Sequence, residues 1–336
     1  MHQLERFELG NFLLQHGETL QDAQLTYLQI GEMNDAGDNL VILPTYYGGA
    51  HHGNMPLVGA HSPLDPSRFC ILIPNMFGNG FSSSPSNANQ AQRGGNFPFI
   101  SLLDNVRAQK RLVEECFADA RPALVLGWSM GGMQALQWAT TYPERVQRVM
   151  SICATAKCWP HNRVFLEGVR AALTADKDWR DGFYQRPPEK GLRAFARVYA
   201  GWAYSQAFYR DRLYERLGFK SIDALLHGWE DDHLAQDAND LLAMLSTWMH
   251  ADISANALYQ GSLEHALAEI RAQTVVMPGT TDLYFTEHDA CYEARYIPNA
   301  AVVSLDSDWG HCAGAPGRNP VDTATILKAC TSLLAR

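Results

Sequence analysis

Ser129 stands at the centre of a short motif that could carry nucleophilic chemistry. The segment 127–131 reads GWSMG; it follows the apolar run 123–128 and leads into a helix-like segment. A G-x-S-x-G sequence between a strand and a helix is typical of a sharp turn that exposes a serine hydroxyl above the edge of a sheet. We therefore predict that Ser129 is a nucleophile and that the Met130 N–H, at a helix N-terminus, stabilises an oxyanion. The alternative is a glycine-rich turn without chemistry.

A catalytic triad with Ser129 could be completed by Asp282 and His311, which lie much later in the sequence. Asp282 comes just after the apolar run QTVVM, and His311 comes just after the run AVVSL. Both positions are loops that leave the carboxyl ends of predicted strands, where an open α/β sheet gathers its site. We predict that His311 takes the proton of Ser129 and that Asp282 orients the imidazole.

Other residues are alternatives for the acid and the base. Asp306 and Asp308 are acidic, but they lie too close to His311 in the sequence for the usual arrangement on separate loops. His288 is an alternative base, and it falls near the start of a predicted helix. The preferred set therefore remains Ser129, Asp282 and His311.

The loop 45–53, TYYGGAHHG, follows a predicted strand and supplies a second candidate oxyanion donor, the Tyr46 N–H. The paired His51 and His52 lack the spacing of metal ligands, so no metal site is predicted. The segment 77–84, FGNGFSSS, has too few glycines in register for a dinucleotide, and no Walker lysine occurs. No cofactor is predicted.

Apolar runs of strand length alternate with helical segments over most of the chain. Their continuous apolar character predicts parallel strands covered on both faces, hence an α/β fold with a mostly parallel sheet flanked by helices. The predicted strands are 39–44, 69–75, 123–128, 146–153, 273–279 and 301–307, and the helices outside the central region include 102–117 and 321–336.

The alternation stops between residues 155 and 271. This region is rich in Trp and Tyr, and it contains helix-like segments at 161–176, 191–218 and 231–252. We predict a helical lid over the site, inserted into a core formed by residues 1–154 and 272–336. Because aromatic residues are enriched in interface cores, the lid is also expected to contribute to a homodimer interface.

Composition restricts the class of partner. Asp and Glu outnumber Lys and Arg by 36 to 27, for a net charge of −9, which argues against a nucleic acid or an anionic membrane. Seven scattered cysteines without a C-x-x-C pair, and no visible secretory signal, favour a cytoplasmic protein. The uncharged stretch 122–139 is interrupted by polar residues and glycines, so a buried strand and helix are expected there rather than a membrane helix.

Six segments resemble the homoserine O-acetyltransferase family of α/β-hydrolases, over nearly the whole chain. The resemblance implies an α/β-hydrolase fold with a helical lid, a ping-pong reaction through an acyl-enzyme, and a homodimer built through the lid. It also implies a triad of Ser129, Asp282 and His311. The segments are PNMFGNGFSSSP, FPFISLLDNVRAQKRLVEE, GWSMGGMQALQWATTYPERV, DKDWRDGFYQRPPEKGLRAFARVYA, TTDLYF and DSDWGH.

The chain departs from that family near the nucleophile and the histidine. Trp128 replaces the usual glycine before the serine, and Cys312 replaces the usual aspartate after the histidine. A carboxylate at that second position would suit an amino-acid ammonium, and a thiol would not. Arg170 matches an arginine that the resemblance places against a substrate carboxylate. The predicted substrate-binding residues are thus Tyr47, Trp128, Arg170 and Cys312.

These departures favour a serine carboxylic-ester hydrolase for small, acetate-type esters, with water as the acyl acceptor. The alternative is an acyltransferase like the homoserine O-acetyltransferases, using acetyl-CoA. A third hypothesis is a non-catalytic binding protein on the same fold, which an intact triad in the right order disfavours.

Overall fold

The computed structural model describes residues 3–336, within which eight strands form a single sheet. The strands are β1 (Leu4–Leu13), β2 (Thr19–Ile30), β3 (Leu40–Ile42), β4 (Cys70–Pro74), β5 (Pro122–Trp128), β6 (Arg148–Ile152), β7 (Gln273–Met277) and β8 (Ala300–Val302). Their order across the sheet is β1-β2-β4-β3-β5-β6-β7-β8. The pairs β1–β2 and β2–β4 are antiparallel, and the other pairs are parallel. The prediction of a mostly parallel sheet is confirmed.

Strands β1 and β2 were not found in the sequence, because they lack the continuous apolar runs of the parallel strands. In β1 the buried side chains are Phe7, Leu9 and Phe12, and polar or charged residues stand between them. Such alternation is expected of an antiparallel strand with one face in solvent.

The α-helices lie on both sides of the sheet and in the stretch between β6 and β7. In chain order they are α1 (Leu102–Cys116), α2 (Met130–Thr141), α3 (Pro160–Thr174), α4 (Glu189–Ala203), α5 (Gln206–Arg210), α6 (Ile222–Leu234), α7 (Ala238–Met249), α8 (Leu263–Ala268), α9 (Glu287–Ala294) and α10 (Pro320–Leu334). Helices α3 to α8 occupy the stretch in which the sequence predicts a helical lid, and we call residues 155–271 the cap. None of the helices in residues 3–336 is long and apolar enough to span a membrane.

Two long helical segments predicted in the cap are divided in the structure. The segment 191–218 breaks at Ser205, whose hydroxyl accepts a hydrogen bond of 3.0 Å from Phe208 N and caps α5. The segment 231–252 breaks at Asp237, whose carboxylate caps α7 by accepting from the backbone of Asn239 and Asp240. Short polar side chains stabilise a helix start in this way, so each break is a new helix with its own cap.

The cap and the sheet share one apolar core. Phe165 on α3 and Trp248 on α7 are fully buried in the same cluster as Leu126 of β5 and Met277 of β7. A second cluster on the other face of the sheet packs against α1 and contains Trp138 of α2. The cap is therefore seated on the sheet by buried side chains.

Glu293 on α9 supports the point where the chain enters the cap. Its buried carboxylate accepts hydrogen bonds from Ala156 N at 2.6 Å and from the Trp159 indole Nε1 at 2.8 Å. Burial raises the pKa of Glu293 to about 8, against the effect of these two donors.

We expect Glu293 to make the stability of the protein fall as the pH rises through about 8. The folded state binds this proton more tightly than the unfolded chain does, so its contribution is complete below the ordinary glutamate pKa and is lost above the raised one. Thermal unfolding of wild type and Glu293→Gln should be compared from pH 6 to pH 9, where the melting temperature of the variant should fall less steeply. Equal slopes for the two proteins would contradict the raised pKa.

Candidate active site

Ser129 lies on the sharp turn from β5 to α2, with backbone angles φ 57° and ψ −129°. Its N–H donates a hydrogen bond of 2.9 Å to Ile152 O on the neighbouring strand β6. A Cβ on Gly127 would come within 2.1 Å of the backbone carbon of Gly131. Gly127, two residues before the serine, is therefore required by the close approach of the strand and the helix. A positive φ on a serine is a strained conformation of the kind that functional sites hold.

Asp282 and His311 form a buried pair beside this turn. The distance from His311 Nδ1 to Asp282 Oδ2 is 2.6 Å. The other oxygen, Asp282 Oδ1, accepts hydrogen bonds from the backbone N–H groups of Tyr284 at 3.1 Å and Phe285 at 3.0 Å. Because both oxygens are engaged, the carboxylate is fixed and it holds the imidazole in one orientation.

The alternative acids and the alternative base lie elsewhere. The described residues that line the cavity next to Ser129 include His311 but not Asp306, Asp308 or His288. Asp308 contributes its backbone carbonyl to a hydrogen bond of 2.5 Å from the Ser205 hydroxyl. The side chain of His288 is 91% exposed at the start of α9.

Hydrogen bonds join the loops that carry the acid and the histidine. Thr281 Oγ1 donates to Ser307 O at 2.6 Å and accepts from Gly310 N at 3.1 Å. The cap packs closely against the histidine loop, since a Cβ on Gly310 would lie 2.7 Å from Ser205 N. The break between α4 and α5 at Ser205 therefore contacts the loop that positions His311.

A cavity of about 920 Å³ opens above Ser129 and His311. The cap contributes aromatic walls to it through Tyr199 on α4 and Trp229 on α6. No hydrogen bond joins Ser129 Oγ to His311 within residues 3–336. In a site without substrate this bond is often long, and it shortens in the reacting complex.

The two candidate oxyanion donors lie at this cavity. The backbone N–H groups of Met130 and Tyr46 donate no hydrogen bond to another group within the described part of the chain, and Met130 is fully buried. The side chain of Tyr46 also lines the cavity, and burial raises its pKa to about 12, so it is a neutral phenol at pH 7.

Three of the predicted substrate-binding residues line the cavity, and the fourth does not. Tyr47, Trp128 and Cys312 lie in its wall, and burial raises the pKa of the Cys312 thiol to about 11. The placement of Arg170 at the substrate is wrong. Its side chain is 52% exposed and is paired with Glu167 at 2.6 Å. The cause is the helix face: α3 buries Phe165, Leu166, Val169 and Leu173, and Arg170 lies away from them.

Sequence reasoning missed several cavity residues of the cap and of the loop after His311. Tyr199, Trp229 and His233 lie in the wall, and so do Asp232 and Arg318. The spacing of Trp229 and His233, four residues apart on one helix, was the available signal for a shared face. No spacing in the sequence relates Arg318 to the nucleophile.

The loop histidine His51 contacts Asn75 through its ring and its backbone. His51 Nδ1 lies 3.2 Å from Asn75 Nδ2, and its backbone N–H donates to Asn75 Oδ1 at 2.9 Å. Among residues 3–336, no group of three or more His, Cys, Asp and Glu side chains is arranged to hold a metal ion.

Comparison with known proteins identifies the family. The model of the α/β hydrolase fold matches residues 38–315 of this chain. The chain belongs to the α/β-hydrolase family. This match spans the Ser129 turn, the cap, Asp282 and His311, and it confirms the fold class expected from the sequence.

Ester hydrolases and homoserine acetyltransferases are both among the relatives of this α/β-hydrolase. It is 33% identical to an ethyl acetate hydrolase of Pseudomonas veronii, over 91% of this chain and 88% of that protein. The crystal structure of the acetyl esterase MekB superposes with a TM-score of 0.96 at 32% identity, covering 99% of this chain and 97% of that one. A homoserine O-acetyltransferase of Chlorobium chlorochromatii is 30% identical over 90% of this chain and 88% of its own length. The expected membership of the α/β-hydrolases, in an esterase-like branch that also resembles these transferases, is confirmed, and these relatives support a serine carboxylic-ester hydrolase.

Trp128, the last residue of β5, connects two loops of the site. Its indole Nε1 donates a hydrogen bond of 3.2 Å to the His311 carbonyl, and the centres of the two rings are 5.0 Å apart. The ring of Tyr46 packs edge-on against Trp128, with 4.4 Å between centroids. Trp128 thereby holds the histidine loop against the loop of the candidate oxyanion donor.

We expect Trp128→Ala to lower kcat for an acetate ester by about 10²-fold, because a small displacement of a reacting group has an effect of this size. Trp128→Phe keeps a ring and loses the N–H donor, so a decrease of about fivefold is expected from one hydrogen bond. Both variants should be measured for kcat, KM and melting temperature. An effect on KM alone would contradict a positioning role.

Proposed function

We propose that this protein hydrolyses small acyl esters of the acetate type through a covalent acyl-Ser129 intermediate. The observation that carries the proposal is the buried pair of His311 and Asp282, whose nitrogen and oxygen are 2.6 Å apart, with His311 in the wall of the cavity that Ser129 also lines. The names of the relatives, an ethyl acetate hydrolase and an acetyl esterase, support the acyl group.

In the first half of the reaction, His311 Nε2 removes the proton of Ser129 Oγ as the oxygen attacks the ester carbonyl carbon. The Met130 and Tyr46 N–H groups donate to the oxyanion that forms. The bond from the carbonyl carbon to the alcohol oxygen then breaks, and His311 gives its proton to the departing alcohol. Asp282 stays ionised and balances the imidazolium.

In the second half, a water molecule attacks the acyl-enzyme while His311 removes one of its protons. The bond from the acyl carbon to Ser129 Oγ breaks, the serine regains its proton from His311, and the carboxylic acid leaves. The products are one alcohol and one acid for each ester, with no cofactor.

Water is favoured over an amino-acid alcohol by the groups next to the histidine. The Cys312 thiol, with a pKa of about 11, is neutral and offers no charge to an ammonium. Trp128 fills the space beside the nucleophile, and although Arg318 in the wall could meet a carboxylate, the neutral thiol leaves an ammonium without a partner next to the histidine. Selective binding of a zwitterion needs buried partners for both of its charges.

A second candidate is O-acetyl transfer from acetyl-CoA. It is favoured by the 30% identity to a homoserine O-acetyltransferase and by the carboxylate of Asp232 in the cavity wall. This aspartate side chain is 73% exposed, so it offers an ammonium a solvated partner rather than a desolvated one.

The two functions are separated by one set of assays with the purified protein. Hydrolysis of ethyl acetate is followed by the release of ethanol and acetate, and acetyl-CoA cleavage is followed by thiol release, each with and without homoserine. We expect equal amounts of ethanol and acetate, and no effect of homoserine on either. Formation of O-acetylhomoserine from acetyl-CoA, faster than ethyl acetate hydrolysis, would establish the transferase instead.

The cap is proposed to act as a lid that shapes the cavity and excludes water from the rest of the site. Tyr199 and Trp229 in the wall support this role. The homodimer through the cap stays a prediction. The argument for it from aromatic content is weaker in the structure than in the sequence. Trp248 and Tyr204, which belong to the aromatic-rich region, are buried within one chain.

A further inference from the structure

Arg318 is a cation in the cavity wall that the proposed reaction does not use. Its side chain lines the same cavity as Ser129 and His311, and no other Lys or Arg occurs among the described residues of that wall. No carboxylate within residues 3–336 forms an ion pair with its guanidinium. An arginine that faces a reaction cavity without a partner is available to a ligand.

The groups nearest to the Arg318 guanidinium do not neutralise it. Its charge acts on Tyr46, Tyr204 and Cys312, which are neutral at pH 7 because burial raises the pKa of each. Asp232 is the one carboxylate whose charge influences Arg318 noticeably, and its side chain is mostly in solvent. Arg318 therefore places a positive charge in a wall that also contains Asp237 and Asp240, neither of which forms an ion pair with it among the described residues.

The backbone that carries Arg318 is fixed. Arg318 N donates to Ala315 O at 3.1 Å, and Gly317 N donates to Thr323 Oγ1 at 3.1 Å. The next residue, Asn319, caps α10 through its side chain. The guanidinium is thus attached to a rigid turn that begins four residues after His311.

The cavity has room for a substrate group beyond the reacting ester. Its volume of about 920 Å³ lies near the upper end of the range of small-molecule sites, about 300–1,000 Å³, and an acetate ester of a small alcohol would fill only part of it. The planar guanidinium matches a carboxylate with two parallel hydrogen bonds, which favours that anion over a neutral group.

We propose that Arg318 binds a carboxylate carried by the substrate, so that this site prefers esters with a free carboxylate over neutral esters of the same size. The inference rests on the proposed function, because Ser129 still cleaves the ester. The carboxylate can belong to the acyl part or to the alcohol part, and in both cases it is the same ligand for the same guanidinium.

The test compares two matched substrate pairs. Monoethyl succinate and ethyl butanoate place a carboxylate or a methyl group at the end of the acyl part. Acetoxyacetate and ethyl acetate do the same for the alcohol part. For each pair the measured quantity is the ratio of kcat/KM for the anionic ester to kcat/KM for the neutral ester.

In Arg318→Ala this ratio should fall about 10- to 100-fold in at least one pair, as expected when a charged hydrogen bond is lost. Arg318→Lys keeps the charge but not the two-pronged geometry, so it should give an intermediate ratio. Arg170→Ala is the matched control, an arginine on the cap surface outside the cavity, and it should leave the ratios at the wild-type value. The pair that responds identifies the part of the substrate that carries the anion.

Several results would overturn the inference. Equal losses on both members of each pair in Arg318→Ala would make Arg318 a structural residue. Cleavage of the neutral esters alone by the wild type would reject the carboxylate and leave the proposed hydrolysis intact. Failure to cleave any of the four esters would remove the proposed function, and this inference with it.

Discussion

Ser129→Ala should lower kcat for an acetate ester by about 10⁴- to 10⁶-fold while the protein stays folded, since a triad loses almost all of its effect when one member is removed. The hydroxyl contributes little to stability, because it forms no hydrogen bond within residues 3–336. Alanine fits the turn, although its φ of 57° is as strained for alanine as for serine. Residual activity should come from binding and from the oxyanion donors alone.

The measurement is steady-state hydrolysis of 4-nitrophenyl acetate, with the melting temperature recorded for each protein. Ser332→Ala is the control, because Ser332 is exposed on α10 far along the chain from the motif and should behave as wild type. If Ser129→Ala kept more than about a tenth of the wild-type activity, well outside the range expected for a nucleophile, Ser129 would not be the nucleophile.

Asp282→Asn should lower kcat by about 10⁴-fold without removing the fold, because an amide at this position favours the wrong tautomer of the histidine. Asparagine can keep the acceptor role of Oδ1 toward Tyr284 N and Phe285 N. Its NH₂ would then face His311 Nδ1, which would have to accept a hydrogen bond and leave Nε2 protonated. Nε2 could then no longer take the proton of Ser129.

Asp306→Asn is the matched control for this variant. Asp306 is the rival acid in the sequence, and it lies outside the residues that line the cavity. Its activity should stay within about twofold of wild type, as for most surface substitutions. A large loss in Asp306→Asn together with a small loss in Asp282→Asn would reverse the assignment of the acid.

The parallel half of the fold could be predicted because its strands are buried on both faces. Strands such as β4 and β5 consist of apolar residues without interruption, and such runs are visible in one sequence. The antiparallel strand β1 exposes one face, and polar residues such as Thr26 and Gln29 interrupt the buried half of β2, so the apolar pattern is weaker in both strands. The order and the register in which the strands pair could not be predicted, because they depend on contacts between residues far apart in the sequence.

The sequence predicts those residues of the candidate site that come after a strand. Ser129 follows β5 directly, Asp282 comes five residues after β7, and His311 lies in a short 3-10 helix (Gly310–Gly314) nine residues after β8, so the order of the sheet brings them to one edge. Arg170 and Arg318 show where this reasoning stops. Which helix face Arg170 occupies depends on how α3 packs, and the proximity of Arg318 to the cavity depends on a turn held by distant hydrogen bonds.

The sequence predicts that the cap is helical, but it does not predict where the individual cap helices begin and end. Its two unforeseen breaks, at Ser205 and Asp237, are marked by capping residues that also occur within helices. The first break lies against Gly310, beside His311. The helix breaks there because Ser205 contacts the histidine loop through Asp308, a residue about 100 positions away in the sequence.

The central claim is an acyl-enzyme on Ser129, and trapping that intermediate tests it most directly. The wild-type protein is mixed with 4-nitrophenyl acetate, quenched in acid during turnover, digested, and its peptides are analysed by mass spectrometry. We predict one acetyl group per chain, located on Ser129, which disappears when the substrate is exhausted and never forms in Ser129→Ala. An acetyl group that turns over on another residue, or rapid hydrolysis without any acetylated peptide, would contradict the account.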